Sequence, residues 1–250
     1  MRKPLQGVWN IIRFNRQFYV LSVAAVVIIF FLRNNFNAAI FNALSLSVLL
    51  VICSISISLL VSWYIYDYSN LYKLTWIDKS DFNEKKIVNI HAGFDETSEL
   101  LKNKFSKSEI IALDFYNPEK HTEISIRRAR KAYEPYPDTL HVTTNNLPLN
   151  DNSTDKVFAI LSAHEIRDDE ERISFFKELY RVLKPSGQVI VTEHLRDTAN
   201  FLAYNIGSFH FHSKATWLIT FESAGLKIIS ETKVTPFITT FILEKNGTAF

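Results

Sequence analysis

Two long stretches without a charged side chain, both near the start of the sequence, constrain the fold most. The first runs from Gln17 to Leu32 and the second from Asn34 to Tyr66. An α-helix rises about 1.5 Å per residue, so roughly 20 residues cross a hydrocarbon core of about 30 Å. The second stretch is long enough to span. The first is short, but the flanking Arg16 and Arg33 can extend their charged ends to the interface and let it span as well.

The turn between the two stretches is too short for anything but a helical hairpin, so both ends must face the same side. Positive charge is concentrated in the two flanks: Arg2, Lys3, Arg13, Arg16, Lys73, Lys79, Lys85 and Lys86. The positive-inside rule then predicts an integral membrane protein, of the bacterial inner-membrane type, with both termini and the remaining domain in the cytoplasm. Six aromatic residues resemble an interfacial belt: Trp63, Tyr64, Tyr66, Tyr68, Tyr72 and Trp76. Two alternatives are a signal peptide, which would need a small-residue cleavage site, and a pair of buried core helices.

Four regions follow from this pattern. Residues 1–16 form a cytosolic or interfacial segment, 17–66 the transmembrane hairpin, 67–86 a linker, and 87–250 one globular domain. A domain of that size can bury a full hydrophobic core. The net charge of +2 argues against a nucleic-acid partner, and the single cysteine excludes a disulfide scaffold. Because the hairpin is predicted to span a membrane, lipid is the first expected partner. The sequence does not indicate an oligomeric state.

Short apolar runs alternate with longer amphipathic ones through the domain. The predicted strands are 87–90, 110–113, 139–142, 157–161 and 188–192, and the predicted helices are 97–105, 123–133, 170–183 and 214–224. Such βαβ alternation predicts a mostly parallel sheet with helices on both faces. Two further runs, 226–234 and 237–243, are separated by Pro236 and predict an antiparallel hairpin at one edge.

Two sequence stretches carry a family resemblance. Asn146 to Asp155 reads NLPLNDNSTD, and Phe175 to Gln188 reads FFKELYRVLKPSGQ, with Lys184 expected in the last helical turn and Pro185 ending the helix. In this order and spacing they resemble the class I S-adenosylmethionine-dependent methyltransferases, in the type 11 branch that includes small-molecule and quinone methyltransferases. The resemblance covers about residues 87–245. It implies an α/β Rossmann-like domain and S-adenosylmethionine as the cofactor.

The resemblance also implies where the cofactor binds, at the carboxyl ends of the first strands. Asp114 ends the second predicted strand, where the family places an acid on the ribose hydroxyls. The family's first loop is glycine-rich, but here it reads NIHAGFD (residues 89–95), and one glycine of the motif is present. The cofactor-binding candidates are Asn89, His91, Gly93, Asp114, Thr143 and Thr144. Asp95 lies in this loop, where its carboxylate would face and repel the carboxylate of the cofactor.

Histidines and a glutamate follow the fourth and fifth predicted strands and the next segment. The catalytic candidates are His164, Glu165, His194 and His210. His164 or His194 would act as a base if the acceptor must lose a proton, and His210 or His212 would orient the acceptor. No zinc-motif spacing occurs among them, so the sequence predicts no metal.

A membrane tether suits a lipophilic small-molecule acceptor, and the sequence predicts a membrane-anchored methyltransferase on that basis. The aromatic stretch 201–217 has three interpretations. Its side chains form the acceptor pocket, pack in the core or covering layer of the domain, or insert into the bilayer. Two other functions remain open. The altered first loop is compatible with a catalytically inactive binding or scaffold protein, and the fold alone would also allow a dehydrogenase.

Overall fold

The computed structural model describes residues 3–32, 35, 37–77, 85–121 and 123–247. Its centre is a seven-stranded sheet in the order β3-β2-β1-β4-β5-β7-β6. The strands are β1 (Lys86–His91), β2 (Glu109–Asp114), β3 (Leu140–His141), β4 (Thr154–Ile160), β5 (Leu183–His194), β6 (Leu226–Thr235) and β7 (Ile238–Lys245). The first five strands pair in parallel, and β7 runs antiparallel to both β5 and β6. The predicted α/β sheet with an antiparallel hairpin at its edge is confirmed.

Eight α-helices flank or precede this sheet among the described residues. They are α1 (Gln6–Phe14), α2 (Arg16–Leu32), α3 (Ala38–Trp63), α4 (Ser98–Lys104), α5 (Ile124–Ala132), α6 (Asp169–Val182), α7 (Thr198–Tyr204) and α8 (Lys214–Ser223). A π-helical turn, Tyr64–Tyr68, continues α3, and two 3₁₀ turns occupy Ala163–Glu165 and Asn205–His210. The sheet buries apolar residues on both faces, as parallel sheets do.

The predicted end of α6 at residue 183 is one residue too late, and Lys184, predicted in the last helical turn, lies outside the helix. The helix begins at an Asp168 cap, whose carboxylate accepts the Glu171 N–H, and ends at Val182. Leu183 is already extended, and Lys184 and Pro185 belong to β5. The change of direction requires Gly187, because a Cβ there would lie 2.9 Å from the Asp155 carbonyl oxygen.

The apolar stretches form α2 and α3. One helix, Ala38–Tyr68, is long and apolar enough to cross a membrane, and α1 and α2 together form a second candidate that is bent by 69°. Most large apolar side chains of α2 and α3 are exposed. Of the connecting turn, Arg33, Asn34 and Phe36 lie outside the described residues.

The N-terminal segment is tied to the end of α3. The Asp67 carboxylate in the π-helical turn accepts the backbone N–H groups of Gly7 and Val8 at 2.7 and 2.8 Å. These N–H groups have no partner within α1, and an anion at a helix N-terminus is favoured by the helix dipole. Because α1 also packs on α5, it is joined to the domain by specific contacts.

The described part of the predicted linker packs against the domain. Leu71 contributes to one apolar cluster beneath the π-helical turn, and Leu74 and Ile77 contribute to another on the sheet. All three side chains are buried. Residues 78–84 of the linker lie outside the described residues.

Candidate active site

The loop after β1 is held by side-chain hydrogen bonds. The Asp95 carboxylate accepts the N–H groups of Thr97 and Ser98 at 2.8 and 2.9 Å, at the start of α4. The Asn89 side-chain amide donates to Thr97 Oγ1 and Ser98 Oγ at 3.0 and 2.8 Å. Asn89 is thus buried inside the loop that supports the site, and one oxygen of Asp95 is committed to the helix start.

His91 and Gly93 form the part of this loop that faces the crevice. His91 Nδ1 accepts the Gly93 N–H at 3.2 Å, and burial lowers the pKa of His91. His91 Nε2 is buried and has no hydrogen-bond partner among the described residues. A buried polar atom without a partner carries a desolvation cost that a bound polar group would remove.

Gly93→Ala is expected to destabilise this loop. Gly93 has φ +90°, which side chains rarely adopt, and an added Cβ would lie 2.7 Å from Arg130 Nη1 and 3.0 Å from Tyr116 Cβ. A non-glycine residue in such a region costs about 1–3 kcal/mol. Thermal unfolding of the full chain measures this loss. Gly207→Ala is the control, since its Cβ would meet only Tyr204 Cβ at 3.8 Å, and an equal loss in both variants would contradict the assignment.

Asp114 lies at the carboxyl end of β2, directly beside His91 in the β1–β2 register. One carboxylate oxygen accepts the Tyr116 N–H at 2.9 Å, and the other accepts a hydrogen bond from Arg130. The Arg130 guanidinium also lies 4.5 Å from the centre of the Tyr116 ring. An ionised carboxylate has about four lone-pair sites, so Asp114 retains acceptor capacity.

Thr143 and Thr144 lie beyond β3, on the rim of a wide cavity of about 780 Å³. Thr144 Oγ1 donates to Glu171 at 2.6 Å, whereas no side-chain hydrogen bond of Thr143 is found among the described residues. The cavity is otherwise lined by the segment after β2, including Tyr116 and Lys120. Residues of α6, among them Glu171 and Ser174, complete its lining.

His164 is held by two carboxylates. Its Nδ1 lies 2.6 Å from the fully buried Glu193, and its Nε2 lies 3.2 Å from Glu165. Glu193 also accepts the N–H groups of Ser162 and His164. Burial alone would lower the pKa of His164, but the carboxylates of Glu193 and Glu165 raise it to about 10. The same contacts hold the pKa of Glu165 well below its usual range, against the opposing effect of burial.

His194 has both ring nitrogens engaged. Nδ1 lies 2.9 Å from Asn200 Oδ1, and Nε2 lies 2.8 Å from the Tyr66 hydroxyl. Asn200 donates through its nitrogen to the Phe237 carbonyl, so its oxygen faces His194 and accepts a hydrogen bond from Nδ1–H. Burial lowers the pKa of His194 to about 4. The ring is thus neutral near pH 7, with Nε2 accepting from Tyr66.

His210 reaches the same region from the 3₁₀ turn after α7. Its Nδ1 lies 2.8 Å from Glu123 at the start of α5, and its Nε2 lies 3.5 Å from Glu165. The His210 and His164 rings are 5.2 Å apart, in an edge-to-face arrangement. His212 points elsewhere, toward Arg172 and the Ile166 carbonyl.

The catalytic candidates His164, Glu165, His194 and His210 all line a cavity of about 260 Å³. Gly93 and Asp114 line a separate cavity of about 70 Å³. One wall comes from the strand ends and includes His91, His164 and His210. The other comes from α1 and the π-helical turn and includes Phe14 and Tyr66. Sequence reasoning did not assign Tyr66, Arg130 or Glu193 to the site; the adjacency of Glu193 to His194 at a strand end was the one available signal.

The sequence and the fold are similar to those of known proteins. Residues 89–191 match the family model described as "Methyltransferase domain". Over these residues the chain is similar to methyltransferase domains. No curated protein matches the sequence.

Solved structures share the fold of the methyltransferase domain. A SAM dependent methyltransferase from Aquifex aeolicus is 16% identical with a TM-score of 0.50, covering 76% of this chain and 97% of its own. A protein from Pyrococcus horikoshii OT3 is 18% identical with a TM-score of 0.52, covering 71% and 88%. At these identities the likeness shows the fold, and the substrate has to be inferred from the site itself.

Proposed function

We propose that this protein transfers the methyl group of S-adenosylmethionine to a lipophilic small molecule at a membrane surface. The observation that carries the proposal is the composition of the 260 Å³ cavity, whose walls come from the methyltransferase domain and from the segments that flank the apolar helices. Asn205 Nδ2 further donates to Ser54 Oγ, in the middle of α3, at 2.7 Å. An acceptor dissolved in the bilayer would therefore find the cavity next to the membrane-facing helices.

The residues of the crevice fit S-adenosylmethionine. Asp114 has acceptor capacity for ribose hydroxyls, Gly93 supplies the positive φ of a loop that approaches a ligand closely, and His91 Nε2 offers an unpartnered buried nitrogen. One oxygen of the Asp95 carboxylate is held at the start of α4, and the other lies 3.9 Å from His91 Nε2. The cofactor supplies a methyl group on a sulfonium, which an acceptor nucleophile takes directly.

Positioning supplies much of the catalysis in such a transfer. His164 and His210 would orient a polar group of the acceptor at one end of the cavity, while Phe14 and Phe94, whose ring centres lie 5.9 Å apart, cover its apolar part. His194 is supported as a positioning residue that fixes the Tyr66 hydroxyl, because its own nitrogens are engaged.

The activity is tested by incubating the full chain in detergent with radiolabelled S-adenosylmethionine and a lipid extract of its own cells. Label should accumulate in the organic phase, and Asp114→Ala should abolish it. Label confined to water-soluble products would overturn the lipophilic acceptor. If the folded protein does not bind the cofactor at all, the inactive binding or scaffold role, which the Arg130–Asp114 contact favours, replaces the enzyme.

Membrane anchoring gives a separate prediction. The full chain in its own membranes should remain in the pellet after alkaline carbonate extraction, because α3 is 26 residues long with its apolar side chains exposed. The double substitution Leu46→Arg/Leu50→Arg should release a large fraction, since each arginine at a helix centre costs about 2.5–3.5 kcal/mol on insertion. Glu222→Arg on the exposed side of α8 is the control. Release of the unaltered chain would show that α3 is peripheral.

A further inference from the structure

We propose that His164, Glu165 and His210 bind a divalent transition-metal ion. Their candidate ligand atoms all lie within 4.8 Å of one another. The Glu165 oxygen lies 3.2 Å from His164 Nε2 and 3.5 Å from His210 Nε2. Metal–ligand distances of about 2.0–2.2 Å require neighbouring ligand atoms to be about 3.0–3.5 Å apart in octahedral or tetrahedral geometry. Both distances from the Glu165 oxygen already lie in that range.

The second nitrogens of both imidazoles point at carboxylates. His164 Nδ1 lies 2.6 Å from Glu193, and His210 Nδ1 lies 2.8 Å from Glu123. Metal-bound histidines almost always donate their other N–H to a carboxylate, carbonyl or water, which fixes the ring and raises its basicity. Here both rings are oriented in this way, and both present Nε2 to the same oxygen of Glu165.

The type of metal follows from the ligands. Two imidazole nitrogens and one carboxylate favour Zn²⁺, Mn²⁺, Co²⁺ or Fe²⁺ over the all-oxygen shells of Mg²⁺ and Ca²⁺. Three protein ligands leave coordination positions open, and all three side chains line the 260 Å³ cavity. An oxygen of a bound acceptor would complete the coordination. That role rests on the proposed function, whereas metal binding itself does not.

Arg167 gives the inference a directional test. Its guanidinium contacts both ring nitrogens of His210, with Nη2 lying 2.6 Å from Nε2, and it also donates to the His210 carbonyl. Arg167 thus occupies the nitrogen that the metal would use. It is exposed and can move into solvent. Removing Arg167 should strengthen metal binding, whereas a cluster held only by ion pairs would be loosened by the same substitution.

The experiment uses the full chain in detergent, without a histidine tag and stripped of metal by a chelator. Titration with Zn²⁺ is followed by calorimetry, and titration with Co²⁺ by its visible absorption. We expect one site per chain. His210→Gln should weaken binding at least 100-fold, and Arg167→Ala should tighten it. His141→Ala, at an exposed histidine at the end of β3, should have no effect.

Two results would overturn the metal site. One is the absence of one-to-one binding by the folded, unaltered chain, and the other is equal binding by His210→Gln and the unaltered chain. His210 is only partly buried, so its substitution is expected to preserve folding, and thermal unfolding checks this. Calorimetry with S-adenosylmethionine on the same metal-free samples tests the proposed function separately. Cofactor binding without metal binding would reject the inference alone.

Discussion

Asp114→Ala is expected to lower the affinity for S-adenosylmethionine at least 100-fold. In the proposed complex the Asp114 carboxylate accepts the ribose hydroxyls, and each hydrogen bond to a charged group contributes about 1.5–3 kcal/mol. Two such bonds correspond to about two orders of magnitude or more in the dissociation constant. Calorimetry on the full chain in detergent measures the loss directly.

Glu109→Ala is the matched control for Asp114→Ala. Glu109 begins the same strand at its opposite end, is exposed, and lies 4.0 Å from Lys86. Exposed ion pairs of this kind contribute little to stability, so cofactor affinity and folding should both be retained. Unchanged affinity in Asp114→Ala would place the ribose elsewhere. Arg130→Ala adds a sign test, because tighter binding in that variant would show that Arg130 competes for the carboxylate.

The sheet could be predicted from the sequence because its strands are local features. Short β-branched runs such as Ile87–Ile90 and Gln188–Thr192 can be buried on both faces of a parallel sheet only with helices between them. Strand β1 extends one residue beyond each predicted end and β5 begins five residues before its predicted start, whereas β3 is shorter than predicted. Lys184 and Pro185 show why. Pairing between Thr154 and Leu183 draws the segment after α6 into β5, and this long-range contact has no signal in the local sequence.

The candidate site could be predicted only in part. Polar residues at strand ends indicated where the crevice lies, since parallel strands end at one edge. The partners of these residues came from distant segments. Tyr66 and His194 are in contact although 128 residues separate them along the chain. Arg130 contacts Asp114, at the end of β2, from α5. His210 lies near His164 and Glu165 because the 3₁₀ turn after α7 lies against the turn after β4.

The buried pair of Glu193 and His164 is also expected to contribute to folding stability. Glu193 is fully buried, and its two oxygens accept the Ser162 and His164 N–H groups and lie against His164 Nδ1. Ser162 in turn donates its hydroxyl to the Ile90 carbonyl at 2.9 Å. One carboxylate therefore joins the end of β5 to the turn after β4, and through Ser162 to β1.

Glu193→Ala is expected to lower the free energy of unfolding by about 3–5 kcal/mol, because it leaves the buried His164 and two N–H groups without their partner. For a chain of this length that corresponds to a fall in the melting temperature of roughly 10 °C. Glu193→Gln should lose less, since its carbonyl oxygen still accepts the Ser162 N–H. Glu222→Ala, on the exposed side of α8, should remain within about 0.5 kcal/mol of the unaltered chain. Thermal unfolding in detergent compares the three variants, and equal stability of Glu193→Ala and Glu222→Ala would mean that the strand ends are joined by packing alone.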